Sequence, residues 1–144
     1  MIPSTVDDFR KLEAHYVTSL DEADFELPPE TSARIALDMC ELILDSLTPL
    51  QQWAVSQARL HWSGQEAPGF DEARDACWTE IDRSFATPVP ADAEARRRLV
   101  IGAMNECTPF DGTASGYLVV WGRDAGVQFS DALEIFSKYA GDLA

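Results

Sequence analysis

The sequence predicts a single all-α domain, an antiparallel bundle of six or seven helices spanning residues 1–144. A chain of 144 residues has the length of one domain. Apolar side chains recur at the three- and four-residue spacing that places them on one helix face. Prolines and glycines divide these segments at short intervals, and such short connections are typical of antiparallel bundles.

The first predicted helix covers residues 4–20, where Val6, Phe9 and Leu12 begin an apolar face. Residues 21–30 have no helical period and contain Pro28-Pro29, which predicts an extended, exposed connection.

The most apolar predicted helix covers residues 31–47, where the charged side chains fall on one narrow stripe, so most of its surface is expected to be covered by protein. Thr48 and Pro49 then predict a new helix, because threonine caps helix starts and proline fits the first helical position. This third helix is expected to end near Trp62.

A fourth helix is predicted over residues 70–85, and the prolines within residues 87–90 end it. The fifth covers residues 91–106. Residues 117–129 are ambiguous, because their apolar run fits either a short buried helix or a small hairpin. Ser130 is expected to cap the last helix.

The formal net charge of −14 excludes several functional classes. Binding to nucleic acid requires many Lys and Arg contacts to phosphate, so neither nucleic acid nor an anionic membrane is an expected partner. The sequence contains no apolar run long enough to cross a membrane and no visible secretory signal. Its three cysteines, an odd number without any CxxC pair, are expected to be reduced and buried in a cytoplasmic protein.

Bulky side chains suggest where the core lies. At least three of Trp53, Trp62, Trp78 and Trp121 are expected to be largely buried, because each lies on or near an apolar face. His61 falls within the apolar face of its predicted helix, which favours a core histidine over a ligand or a base.

Arg96, Arg97 and Arg98 form the longest basic run. Asp92 and Glu94 precede Arg96 and Arg98 by four residues, a spacing that favours ion pairs on one helix surface over a nucleic-acid patch.

Two acidic pairs raise a metal alternative. Asp38 and Glu41, like Glu72 and Asp75, are one helical turn apart. This arrangement resembles the all-α nucleoside-triphosphate pyrophosphohydrolases, in which two helical acidic pairs hold Mg²⁺, a cation that prefers oxygen ligands. The resemblance lacks the basic residues that grip phosphate in that family, and chance alone produces such pairs in so acidic a chain. The preferred expectation from the sequence is therefore a protein that needs no metal and no cofactor.

The acidic connection offers a partner-binding hypothesis. Asp21, Glu22, Asp24 and Glu26 surround Phe25 in a segment expected to be exposed. Negative charges steer a basic partner, while an exposed aromatic side chain provides an anchor at an interface. The alternative is a solvated linker whose Phe25 packs back onto the core.

Residues 33–82 resemble the all-α immunity proteins of bacterial polymorphic toxin systems. The shared pattern is Ala33…Cys40, Ala58-Arg59-x-x-Trp62-x-Gly64 and Glu72-Ala73-Arg74-Asp75-Ala76-x-Trp78. The resemblance implies a cytoplasmic, non-enzymatic protein that binds and blocks a toxin, and the acidic charge suits a basic toxin such as a nuclease. The chain departs from the pattern near its end, where Tyr117-Leu-Val-Val-Trp121 replaces an alanine-rich continuation.

Overall fold

The computed structural model describes residues 29–104 and 114–139, which form a helical bundle without strands in these ranges. The predicted all-α bundle is therefore confirmed, whereas the helix predicted over residues 4–20 lies outside the described residues. The described α-helices are α1 (Pro29–Leu42), α2 (Pro49–Trp62), α3 (Phe70–Ala86), α4 (Ala91–Ala103), α5 (Ala114–Ala125) and α6 (Phe129–Tyr139).

Helix α1 ends earlier than its apolar pattern predicts, because the chain tightens into a short 3-10 turn at Leu44–Ser46. The amide of Ser46 donates to the carbonyl oxygen of Ile43 at 2.8 Å, and Leu47 then adopts an extended conformation. Both Ile43 and Leu47 remain buried. The turn thus continues the apolar face of α1 while it redirects the chain into the next helix.

Local chemistry sets the start of α2 and the break between α3 and α4. The Thr48 hydroxyl accepts from the amide of Gln51, and the Gln51 side chain accepts from the amide of Thr48, which completes a capping box. Pro49 occupies the first turn as predicted. The proline-containing residues 87–90 separate α3 from α4, also as predicted.

Helices α1 and α4 form the centre of the bundle. Helix α1 packs against α2, α4, α5 and α6, while α4 packs against α1, α2, α3 and α5. The largest of the fully buried side chains come from five of the helices and from the residue that follows α4, and they are Ile35, Met39, Cys40, Val55, Ile81, Leu99, Val100, Met104 and Leu118.

Residues 117–129 adopt the helical alternative, and the hairpin is absent from the described residues. Leu118, Gly122 and Ala125 are buried at helical spacing. Gly122 lies so close to α1 that an added Cβ would be 2.9 Å from the Sδ of Met39. Because glycine carries no apolar side chain, the helical periodicity was hidden at the position of closest contact.

Three of the four tryptophans pack against the core without being fully buried. Trp62, Trp78 and Trp121 are only partly buried and pack against the edge of the core, and Trp53 is exposed. The central space is filled by alanine, cysteine and aliphatic side chains, so the large indole rings lie around it. By contrast, Cys40 and Cys77 are buried free thiols as predicted, and Cys107 lies outside the described residues.

Candidate functional site

An open groove of about 640 Å³ lies between α1 and α6. Both helices contribute side chains to it: α1 contributes its last turn, and α6 contributes most of one face. The lining residues are Asp38, Glu41, Leu42, Asp131, Glu134, Ile135 and Lys138.

Helical spacing explains why these side chains share one groove. Asp131 and Glu134 are three residues apart, and Ile135 and Lys138 continue the same stripe at four and seven residues from Asp131. Ile135 is buried in the seam, and the charged members lie toward the outside. The amphipathic character of α6 thus produces a charged rim beside an apolar contact.

Asp38 fastens the end of α6 to α1. Its Oδ2 accepts from the Nζ of Lys138 at 3.2 Å and from the hydroxyl of Tyr139 at 2.8 Å. The hydrogen bond and the charge of Asp38 raise the pKa of Lys138, so the ammonium group is retained at neutral pH. Burial, followed by the Asp38 hydrogen bond, raises the pKa of Tyr139.

The four carboxylates of the groove differ in how they are satisfied. Glu41 pairs with Arg59 of α2, with Oε1 and Nη2 2.7 Å apart, and Asp38 is held by α6. The side chains of Asp131 and Glu134 have no hydrogen bond or ion pair within residues 29–104 and 114–139. The lining therefore contains two carboxylates that are available to an incoming cation.

Leu42 gives the groove an exposed apolar surface. It retains 54 % of its accessible surface, more than Trp53 at 36 %, and it lies next to Glu41 at the end of α1. Single exposed leucines are common on protein surfaces and need no explanation alone. Its position in a concave, acidic lining is what makes this leucine a candidate contact.

The sequence-predicted metal residues are divided between two places. Asp38 and Glu41 lie in the groove, whereas Glu72 and Asp75 are exposed on α3, which packs against α2 and α4. No group of three or more His, Cys, Asp or Glu side chains in the described ranges is placed to hold a metal ion. The structure therefore does not bring the two predicted pairs together.

The predicted contact surface at residues 21–26, with Asp21, Glu22, Asp24, Phe25 and Glu26, lies outside the described residues and stays a prediction.

The arginine run is confirmed as an ion-paired helix surface. Arg96 pairs with Asp92 at 3.3 Å, and Arg98 pairs with Glu94 at 2.9 Å. Arg97 instead reaches α3, where it donates to the carbonyl oxygen of Glu80 at 3.0 Å. Arg96 and Arg98 thus form ion pairs within α4, and Arg97 connects α4 to α3.

The prediction of a core position for His61 is wrong, because this side chain is exposed. Its ring stacks on Phe70 with centroids 4.2 Å apart and meets the ring of Trp62 edge-on at 4.7 Å. The buried residues of α2 run from Gln51 to Ala58, and their helical phase directs Trp62 rather than His61 toward the core.

Four residues of the groove were not predicted from the sequence as site residues, namely Leu42, Asp131, Glu134 and Lys138. The three-residue spacing of Asp131 and Glu134 was visible in the sequence, but nothing in the sequence indicated that α6 lies beside α1.

None of the helices in the described ranges is both long and apolar enough to cross a membrane.

Comparison of the chain with family models, curated proteins and solved structures finds no significant match. The features of the chain that bear on function are therefore the groove, the net charge and the pattern within residues 33–82.

Proposed function

We propose that this protein is a non-enzymatic acidic binding protein, specifically a cytoplasmic immunity protein that neutralises a basic bacterial toxin. The observation that carries the proposal is the groove between α1 and α6, where exposed Leu42 lies among four carboxylates and one ammonium group. The resemblance of residues 33–82 to immunity proteins selects a toxin as the partner.

The charge of the chain supports this function on physical grounds. A net charge of −14 attracts a basic protein over a distance set by the ionic strength and accelerates the encounter. Apolar side chains that become buried then slow dissociation. An inhibitor of a toxin benefits from both effects, because it must bind before the toxin acts and must stay bound.

Seven side chains line the groove, whereas a stable interface involves roughly 20–30 residues on each partner. The proposed contact surface therefore extends beyond the groove, and residues 21–26 remain the second part of it. Neutralising Asp21, Glu22 and Asp24 is expected to slow association at low salt, whereas Phe25→Ala is expected to speed release. If both variants bind the partner like the unmodified protein across a salt series, residues 21–26 do not belong to the interface.

The proposal predicts that a large secreted protein with a toxic C-terminal domain is encoded beside this chain, and that domain is the reagent for the test. Producing that domain in cells should stop growth, and producing this protein with it should restore growth. Calorimetry with the two purified proteins should show a stoichiometric complex, and stopped-flow measurements should show an association rate that falls as salt rises. Absence of both rescue and binding would overturn the proposal.

A hydrolase assay tests the pyrophosphohydrolase alternative directly. The purified protein is incubated with nucleoside triphosphates and Mg²⁺, next to the variants Glu72→Gln and Glu66→Gln. Both residues are exposed and each substitution removes one negative charge, but only Glu72 belongs to the predicted metal set. Hydrolysis that Glu72→Gln abolishes and Glu66→Gln preserves would refute a purely binding function.

A further inference from the structure

We propose that the groove between α1 and α6 docks a basic protein segment in which one apolar side chain is flanked by Lys or Arg. The apolar side chain contacts Leu42, and the flanking cations pair with Asp131 and Glu134. This inference rests on the proposed function, because it names the chemistry by which the partner is recognised at that surface.

The apolar part of the segment is required by the exposure of Leu42. This side chain leaves 54 % of its surface open at the end of α1, beside the buried Ile135 of α6. Covering it removes apolar surface from water, which favours binding in proportion to the area buried. A purely ionic ligand would leave this surface exposed.

The cations of the segment are directed to the carboxylates that lack partners. Asp38 already accepts two hydrogen bonds from α6, and Glu41 is paired with Arg59. Asp131 and Glu134 have no such partner among the described residues, so pairing with them disrupts no described contact. Their one-turn spacing on α6 presents two negative charges along one edge of the groove.

Lys138 acts against such a segment from within the groove. Its ammonium group is 3.2 Å from Asp38 and its side chain is 64 % exposed, so it presents a like charge to an incoming Lys or Arg. Replacing it with methionine removes this repulsion and retains an apolar stem. Asp38 would still accept the hydroxyl of Tyr139 at 2.8 Å, so its attachment to α6 persists.

Charge argues against two other occupants of the groove. A second copy of this chain carries −14 itself, and the two copies would repel each other. Residues 1–28 contain seven acidic and two basic residues, so this segment also has the wrong sign. A basic partner is the occupant that complements the lining.

The probe is a synthetic peptide that carries one Leu between two Lys-Arg pairs, titrated into the full-length protein by isothermal calorimetry and amide-resolved NMR at low salt. We expect shifts at the amides of Asp38–Leu42 and Asp131–Lys138, with smaller effects elsewhere. A peptide with Ser in place of Leu should bind about fivefold more weakly. If the serine peptide binds equally well, or if spermidine produces the same shifts, the groove attracts cations in general and the inference is overturned.

Variants of the protein should change the affinity for the peptide in opposite directions, which a general loss of folding would not do. Leu42→Ser should weaken binding of the Leu peptide about fivefold, and Glu134→Gln should weaken this binding about two- to fivefold. Lys138→Met should strengthen binding of the Leu peptide about two- to fivefold. Glu66→Gln is the matched control for charge, since Glu66 is exposed in the connection between α2 and α3. Equal affinities for Glu134→Gln and Glu66→Gln, or weaker binding by Lys138→Met, would overturn the inference.

The same variants separate this inference from the proposed function. If the neighbouring toxin domain binds and Leu42→Ser and Glu134→Gln leave that affinity unchanged, the docking inference fails and the immunity function stands. If the peptide occupies the groove as described but no toxin domain is bound or neutralised, the immunity function fails and the docking surface stands.

Discussion

Replacing Trp62 with phenylalanine tests one hydrogen bond that joins α2 to α4. The indole Nε1 donates to the carbonyl oxygen of Ala103 at 2.9 Å. Ala103 is the last residue of α4 and is fully buried, and carbonyls in the last turn of a helix have no partner within it. The substitution leaves this acceptor unsatisfied, at a cost of about 1–3 kcal/mol.

Trp78→Phe serves as the matched control for the loss of ring volume. Trp78 is also partly buried against the core, and its indole makes no hydrogen bond within the described ranges. Urea unfolding followed by far-ultraviolet circular dichroism gives the free energy of unfolding of both variants. Trp62→Phe should lose about 1–2 kcal/mol more than Trp78→Phe. Equal losses would refute the reasoning that the Ala103 carbonyl depends on the indole.

Three further predictions concern packing, capping and thiol reactivity. Gly122→Ala should lower the free energy of unfolding by about 1 kcal/mol, because crowding of the fully buried Met39 by the new Cβ outweighs the helix propensity that alanine adds; an unchanged urea midpoint would contradict this. Thr48→Ala should cost about 1 kcal/mol in the same assay, whereas Thr48→Ser should retain the cap and most of the stability. Cys40 and Cys77 should resist alkylation in the folded protein at pH values near ~8, since the thiolate is the nucleophile. Burial raises the pKa of both thiols, that of Cys77 to about 12, so mass-spectrometric mapping should find them labelled only after unfolding.

Boundaries that depend on neighbouring residues were predictable from the sequence. Thr48 and Pro49 start α2 because a hydroxyl acceptor and a fixed φ act within one turn, wherever the helix packs. The prolines within residues 87–90 end α3 for an equally local reason. The ion pairs of Arg96 and Arg98 also follow from spacing along one helix.

Features that depend on which helices touch were not predictable in this way. The apolar run around residues 117–121 was compatible with a strand until the approach of Gly122 to Met39 showed which side of α5 faces the core. His61 and Trp62 are adjacent, and a small change of helical phase decides which of them packs inward. The sequence pattern alone left that phase open.

The groove illustrates the same limit at the level of function. Asp38 and Lys138 are joined across 100 residues of sequence, and this contact determines that Asp131 and Glu134, rather than Glu72 and Asp75, share a surface with Asp38. All these acidic pairs have the same three-residue spacing, so spacing alone cannot distinguish them. The packing of α6 on α1 makes the distinction. It also places the ammonium group of Lys138 beside the carboxylate of Asp38, where a metal ion bound to Asp38 would have to lie. An ammonium group in that position opposes a second cation at Asp38, so Asp131 and Glu134 are the carboxylates left for incoming positive charge. The basic segment proposed above would pair with these two and also cover the exposed Leu42, which Mg²⁺ would leave in water.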